Sequence, residues 1–159
     1  MKRVTFGVTY PPERAHPVHR RIEREERVSR AELLMWGPAG TVTALLWFDA
    51  DPAVVGGILG DVDSLTAVGL VAGDDGTNAF THQTEYELPD AVMDLVARSK
   101  VVFLPPVVFL DDGDARFEAV GETQFLSEFH ARLADLLDAR IERVRDFRRG
   151  STPASITER

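Results

Sequence analysis

Arg140-Ile141-Glu142-Arg143-Val144-Arg145-Asp146-Phe147-Arg148 is the stretch on which the fold turns. Ile141, Val144 and Phe147 are spaced by three, so the segment can prolong the helix before it. Read as a strand, it closes a repeat. The strand reading is adopted because only then do the two halves of the chain carry the same order of elements.

Upstream lies the longest helix, with Phe125, Leu126, Phe129, Leu133, Leu136 and Leu137 spaced to share a face. Ala115–Gly121 and the apolar run Val101–Leu110 read as hairpin strands around the acidic turn Asp111-Asp112-Gly113-Asp114. Pro105-Pro106 inside that run predicts a bulge or an edge position, because proline donates no ladder hydrogen bond. Pro89 opens a helix with the stripe Val92, Leu95 and Val96, and Asn78–Glu87 alternates with Phe80, His82, Thr84 and Tyr86 on one face.

The first half has the same syntax. A strand from Arg3 to Tyr10 stops at Pro11-Pro12, and a helix starts at Pro17. Val28–Trp36 and Thr41–Asp49 form a hairpin around Gly37-Pro38-Ala39-Gly40. Asp51-Pro52 is an N-cap followed by proline at N1, and Ser64–Ala72 closes the unit. The expected fold is α+β, with tandem βαββαβ (ferredoxin-like) units and antiparallel sheets over residues 1–74 and 75–149. Residues 150–159 read as a linker from their Gly, Ser, Thr and Pro content.

Composition narrows the functional classes. The net charge is −8, and of 18 basic residues only Lys2 and Lys100 are lysines. Such a surface suits a chain hydrated in concentrated salt, where acidic self-repulsion is screened; GC-rich codon usage gives the same Arg-for-Lys bias. An acidic domain is poorly built to hold nucleic acid by itself. Without cysteine there is neither a disulfide nor a thiolate metal site. No apolar run approaches the roughly 20 residues needed to cross a bilayer. A cytoplasmic location without membrane attachment is expected.

Chemistry-bearing patterns are sparse. There is no phosphate-binding glycine loop and no nucleophile elbow. His16 and His19 stand three apart at a helix start and could share a metal with a third ligand; the competing reading is an exposed pair in which His16 caps the helix. Trp36 and Trp47, one on each strand of the first hairpin, could wall an aromatic or apolar ligand, or simply pack in the core. His16, His19, Trp36 and Trp47 are therefore the candidate effector site, with no catalytic residue, metal or cofactor expected. The acidic turns Asp49/Asp51, Asp61/Asp63 and Asp111/Asp112 are assigned to turn geometry. Arg140, Arg143, Arg145, Arg148 and Arg149 outnumber Glu142 and Asp146 and would either touch phosphates or line a solvated strand edge. For a homodimer, the helix residues Phe125, Phe129, Leu133 and Leu136 are the candidate surface, extended by Val101–Leu110.

Several segments together resemble a known family. Pro11-Pro12-Glu13, His16-Pro17-Val18-His19-Arg20-Arg21, Leu104-Pro105-Pro106-Val107-Val108 and the closing Arg140–Phe147 are similar to the N-terminal domain of bacterio-opsin-activator-type regulators of halophilic archaea. Thr157-Glu158-Arg159 resembles the first residues of that family's C-terminal helix-turn-helix domain. The resemblance implies transcription regulation, with DNA met only through the helix-turn-helix domain beyond the linker, and supplies no settled ligand. The expected role of this chain is a regulatory or sensing domain whose work is dimerisation, with small-effector binding as an additional candidate role. It implies no catalytic residues. A cofactor-free small-molecule enzyme of the ferredoxin-like dimer type is the alternative.

Overall fold

The structure, a computed structural model, describes residues 1–11, 15–36, 43–83 and 90–147. The elements follow the order β1 (Lys2–Thr9), α1 (Pro17–Glu23), β2 (Arg30–Trp36), β3 (Thr43–Phe48), α2 (Pro52–Gly60), β4 (Leu65–Ala72), β5 (Thr77–Gln83), α3 (Asp90–Arg98), β6 (Val102–Leu110), β7 (Asp114–Gly121), α4 (Thr123–Leu136) and β8 (Asp138–Asp146). This is βαββαβ twice, and the deciding stretch is strand β8. The expected Gly37–Gly40 turn, the strand end at Thr84–Glu87, the helix start at Pro89 and the segment 150–159 lie outside the described residues.

Local signals explain the element starts. The Asp51 carboxylate accepts from the Val54 amide at 3.1 Å, with Pro52 at the first helical position. The His16 imidazole plays the same part for α1, accepting from the Val18 amide at 3.1 Å ahead of Pro17. Gly113 turns the β6–β7 hairpin at φ 90°, a conformation that costs glycine nothing. The Pro105-Pro106 bond is cis, and the β6–β7 register shifts between Leu104 and Val108, so the prolines fall where the ladder needs no donor.

All eight strands join one antiparallel sheet in the order β4-β5-β3-β2-β6-β7-β1-β8. The sheet halves are not contiguous in sequence. β5 pairs with β3 and β4, whereas β1 pairs with β7 and β8. Each half is a ferredoxin-like arrangement whose first strand has been contributed by the other segment. The divisions 1–74 and 75–149 thus describe the order of elements but not their pairing. Residues 10–16 make the exchange feasible: seven residues span roughly 23 Å when extended. Crossing the two strand spacings from β1 to β6 needs only about 10 Å.

The halves meet where β2 pairs with β6, Ala31 opposite Phe109. One core gathers Val18 and Ile22 of α1, Val54, Val55, Ile58 and Leu59 of α2, and Phe48 and Ala79 beneath them. The other gathers Val4, Phe6 and Val8 of β1 with Leu95 of α3 and Leu126, Phe129 and Leu133 of α4. Phe109 packs against both, so the two cores are continuous across one face of the sheet. All four described helices cover that face, and among the described residues no helix lies on the other face of the sheet. No helix among the described residues is long and apolar enough to cross a membrane.

Candidate functional site

Helix α1 parts its two histidines. His16 stands outside the first turn as its cap, and its Nε2 lies 3.0 Å from Gln83 Nε2. His19, expected at the surface, is 1% exposed. Its Nε2 bonds the Leu110 carbonyl at 2.8 Å, and its ring stands edge-on to Tyr10 and Phe109 at 5.2 and 5.1 Å. Nδ1 has no hydrogen-bond partner among the described residues. Burial pushes the His19 pKa below the usual histidine range; the Leu110 carbonyl and the carboxylates of Glu23, Asp112 and Asp114 pull the other way. The two imidazoles therefore do not form a chelating pair, and no cluster of three metal-ligating side chains occurs among the described residues.

The tryptophans are likewise apart. Trp36 is opposite Ala44, near the tip of the β2–β3 hairpin, and Trp47 is opposite Glu32, near its base. Strand alternation puts them on opposite faces, because Ala44 neighbours the buried Thr81 while Trp47 neighbours Asn78. No wall of two indoles forms. The remaining histidines have local roles, His82 beside the Thr43 hydroxyl at 3.1 Å and His130 beside the Ala139 carbonyl at 3.3 Å.

Helix α4 spends its apolar stripe on its own core. Phe129 and Leu133 are 3% exposed, and Phe125 and Leu136 pack partly buried against the same cluster. This corrects the expectation of a dimer surface there. One helix face over three aromatic strand residues, Phe6, Phe103 and Phe117, needs every large side chain the stripe offers.

The helix-free face divides into two regions. Over β1, β7 and β8 it is polar and cross-braced. Glu118 accepts from Arg3 Nε at 3.0 Å, from the Thr5 hydroxyl at 3.2 Å and from Arg145 at 3.2 Å. Burial pushes the Glu118 pKa up, but the Arg3 hydrogen bond and charge, with Thr5 and Arg145, outweigh it and hold the carboxyl below its usual range. Arg140 bonds Thr9 and Asp114 at 3.0 Å each, and Arg116 meets Glu142 at 2.9 Å. The β8 arginines thus line a solvated edge strand, as one of the two sequence readings had it.

Over β2 to β5 the same face is apolar. One cross-strand row runs Gly69, Phe80, Leu45, Met35, and the next runs Val71, Asn78, Trp47, Glu32, Val108. Met35 is 61%, Val71 54% and Phe80 50% exposed. Nothing lies within 4 Å of the position a Gly69 Cβ would occupy. Sequence reasoning missed this surface. Its available signal was Phe80, an aromatic residue on the face of β5 opposite the small Ala79 and Thr81.

On the helix side, a cleft between α1 and α2 is lined by Pro17, Arg20, Arg21, Arg24, Asp61 and Val62. Arg21 pairs with Asp61 at 2.8 Å; Arg20 and Arg24 have no acidic partner among the described residues.

The family of N-terminal domains described as HVO_0513_N matches residues 16–147, which takes in everything from the α1 cap to the end of β8. No curated protein matches the chain.

Proposed function

The chain belongs to this haloarchaeal family of N-terminal domains, and on that premise we propose that it is the regulatory domain of a bacterio-opsin-activator-type transcription regulator. In this reading it acts in the cytoplasm by binding and assembly, and DNA is contacted by a separate helix-turn-helix domain of the same polypeptide. The observation that carries the proposal is the match over residues 16–147 to a domain family defined as N-terminal, joined to the helix-turn-helix-like residues Thr157-Glu158-Arg159. The net charge of −8 supports the division of labour, since phosphate contact needs a basic surface. A small effector, in this reading, is an anion held at the α1–α2 cleft by Arg20 and Arg24.

The test is retardation of duplex DNA by the full-length polypeptide and by residues 1–159 separately. Sequence-selective binding by the full-length protein, with none by residues 1–159, is the expected result. Tight, selective binding by residues 1–159 alone, or none by the full-length protein, would refute it.

A further inference from the structure

We propose that two copies of this chain pair sheet against sheet through the helix-free face over β2–β5. The inference deepens the regulatory reading and rests on it, by saying where the domain assembles.

The surface comes from the exchange of first strands and the one-sided helix layer. The described helices cover one side of eight strands, and over β2–β5 the other side offers Met35, Leu45, Trp47, Val71 and Phe80, with Val108 of β6 beside them, in two adjoining cross-strand rows. A fully exposed side chain of this size offers on the order of 150–200 Å². Half-exposed Met35, Val71 and Phe80, with the partly exposed remainder, therefore present roughly 400–500 Å² of apolar surface. A standard interface needs about 800 Å² per partner, with an apolar centre inside a polar rim. The patch supplies most of that centre, with Asn78 and the self-neutralising Arg30–Glu32 ion pair set within its rows and His82 at its margin.

Charge selects a second copy as the occupant. Two molecules of net charge −8 repel through most approaches, yet among the described residues of β2–β5 this face carries only Arg30 and Glu32, which pair with each other. The neighbouring region sets the orientation. Arg3, Arg116, Arg140, Arg143 and Arg145 outnumber Asp114, Glu118, Asp138 and Glu142 there by only one, and most of those charges are already paired with one another, so stacking two such regions brings no charge complementarity. A two-fold axis running along the strands avoids this, placing the arginine-rich regions at opposite ends of the dimer. The open space over Gly69 beside Phe80 gives an incoming side chain a notch to enter.

Sedimentation in multimolar potassium chloride tests the proposal. Residues 1–159 and the full-length polypeptide should both be dimers. Phe80→Asp should raise the dimer dissociation constant about a hundredfold or more, as burying an unpaired carboxylate at an interface centre does. Met35→Glu, at the most exposed position of the rows, should do the same with an unchanged circular dichroism spectrum, which covers the case in which Phe80→Asp disturbs folding. Arg132→Glu, on the helix side, should leave the dimer intact. A monomer in either form, a dimer only in residues 1–159, or a dimer indifferent to both face substitutions would overturn the proposal. A monomeric full-length protein that still binds DNA would sink the pairing and leave the regulatory reading standing; a dimer without DNA affinity would do the reverse.

Discussion

Replacing Phe129 with alanine separates a core helix from an interface helix. The ring is 3% exposed, with its centroid 5.3 Å from Phe103, 5.5 Å from Phe6 and 6.2 Å from Phe117, all in edge-to-face geometry. Truncating a buried Phe costs about 3–5 kcal/mol from lost transfer energy and the cavity left behind. Each aromatic pair adds roughly 0.5–1.5 kcal/mol beyond the buried area, which argues for the upper end. Domains of this size have about 5–15 kcal/mol in total, so Phe129→Ala removes a third of the stability or more. With a urea slope of roughly 2 kcal/mol/M, the unfolding midpoint should fall by about 2 M. Circular dichroism during urea titration in high salt reads the midpoint, and sedimentation of the still-folded variant should give the wild-type oligomeric state. A loss below about 1 kcal/mol, accompanied by dissociation of a dimer, would show that α4 pairs subunits and that the core assignment is wrong.

Three further outcomes follow from the same structure. His19 has a folded pKa below its unfolded value of about 6.5, so its contribution is fully present above that pH and is lost as pH falls below it, levelling off once the folded pKa is passed. Glu23, Asp112 and Asp114 are the acidic groups that act on it, and the slope between pH 7.5 and 5.5 should flatten in His19→Phe; melting curves with identical slopes would contradict the assignment. Gly57→Ala, with nothing within 4 Å of the new Cβ on a helix, should stabilise by up to about 1 kcal/mol. Gly76→Ala drives a Cβ into the Phe48 carbonyl oxygen and should cost more than about 1 kcal/mol, so equal melting temperatures for the two variants would be a refutation. Residues 1–74 expressed alone should not fold, because β5 fills the place between β3 and β4; a cooperative melt of that fragment would show that the strand exchange is dispensable.

Much of the element order was legible because its signals are local. Asp51-Pro52 and His16-Pro17 start helices with their own side chains and ring geometry, and a strand at β8 follows once the halves are required to match. Partner choice was not legible. β1 and β5 both alternate, and nothing in either strand states which half it completes; the pattern fixes which face is buried but not which neighbour is bonded. His19 was misplaced for a related reason. Its spacing from His16 suggested a shared face, but position 16 is a cap with extended backbone, and position 19 falls beside the buried Val18 and Ile22. The stripe on α4 looked larger than one sheet face requires because the sequence does not show that Phe6, Phe103 and Phe117 converge beneath it.

The exchange of first strands also bears on how the two halves of the domain respond as a unit. β1 lies between β7 and β8, yet the chain leaving it runs through Tyr10 and His16 into α1, which packs over the other core. Tyr10 packs with the β1 core, and its ring meets His19 on α1, which in turn bonds the carbonyl of Leu110 at the β6–β7 turn. Displacing α1 therefore perturbs the β6–β7 hairpin through the His19–Leu110 hydrogen bond, and that hairpin belongs to the half whose core α1 does not join. Coupling between halves then has a defined physical route, a buried polar contact. Independent ferredoxin-like units in tandem would lack it, since their only communication would be the shared β2–β6 edge. The same exchange makes the most distant strands obligatory neighbours, Lys2 opposite Asp146, so the half that holds β1 cannot complete its sheet before the chain reaches β8.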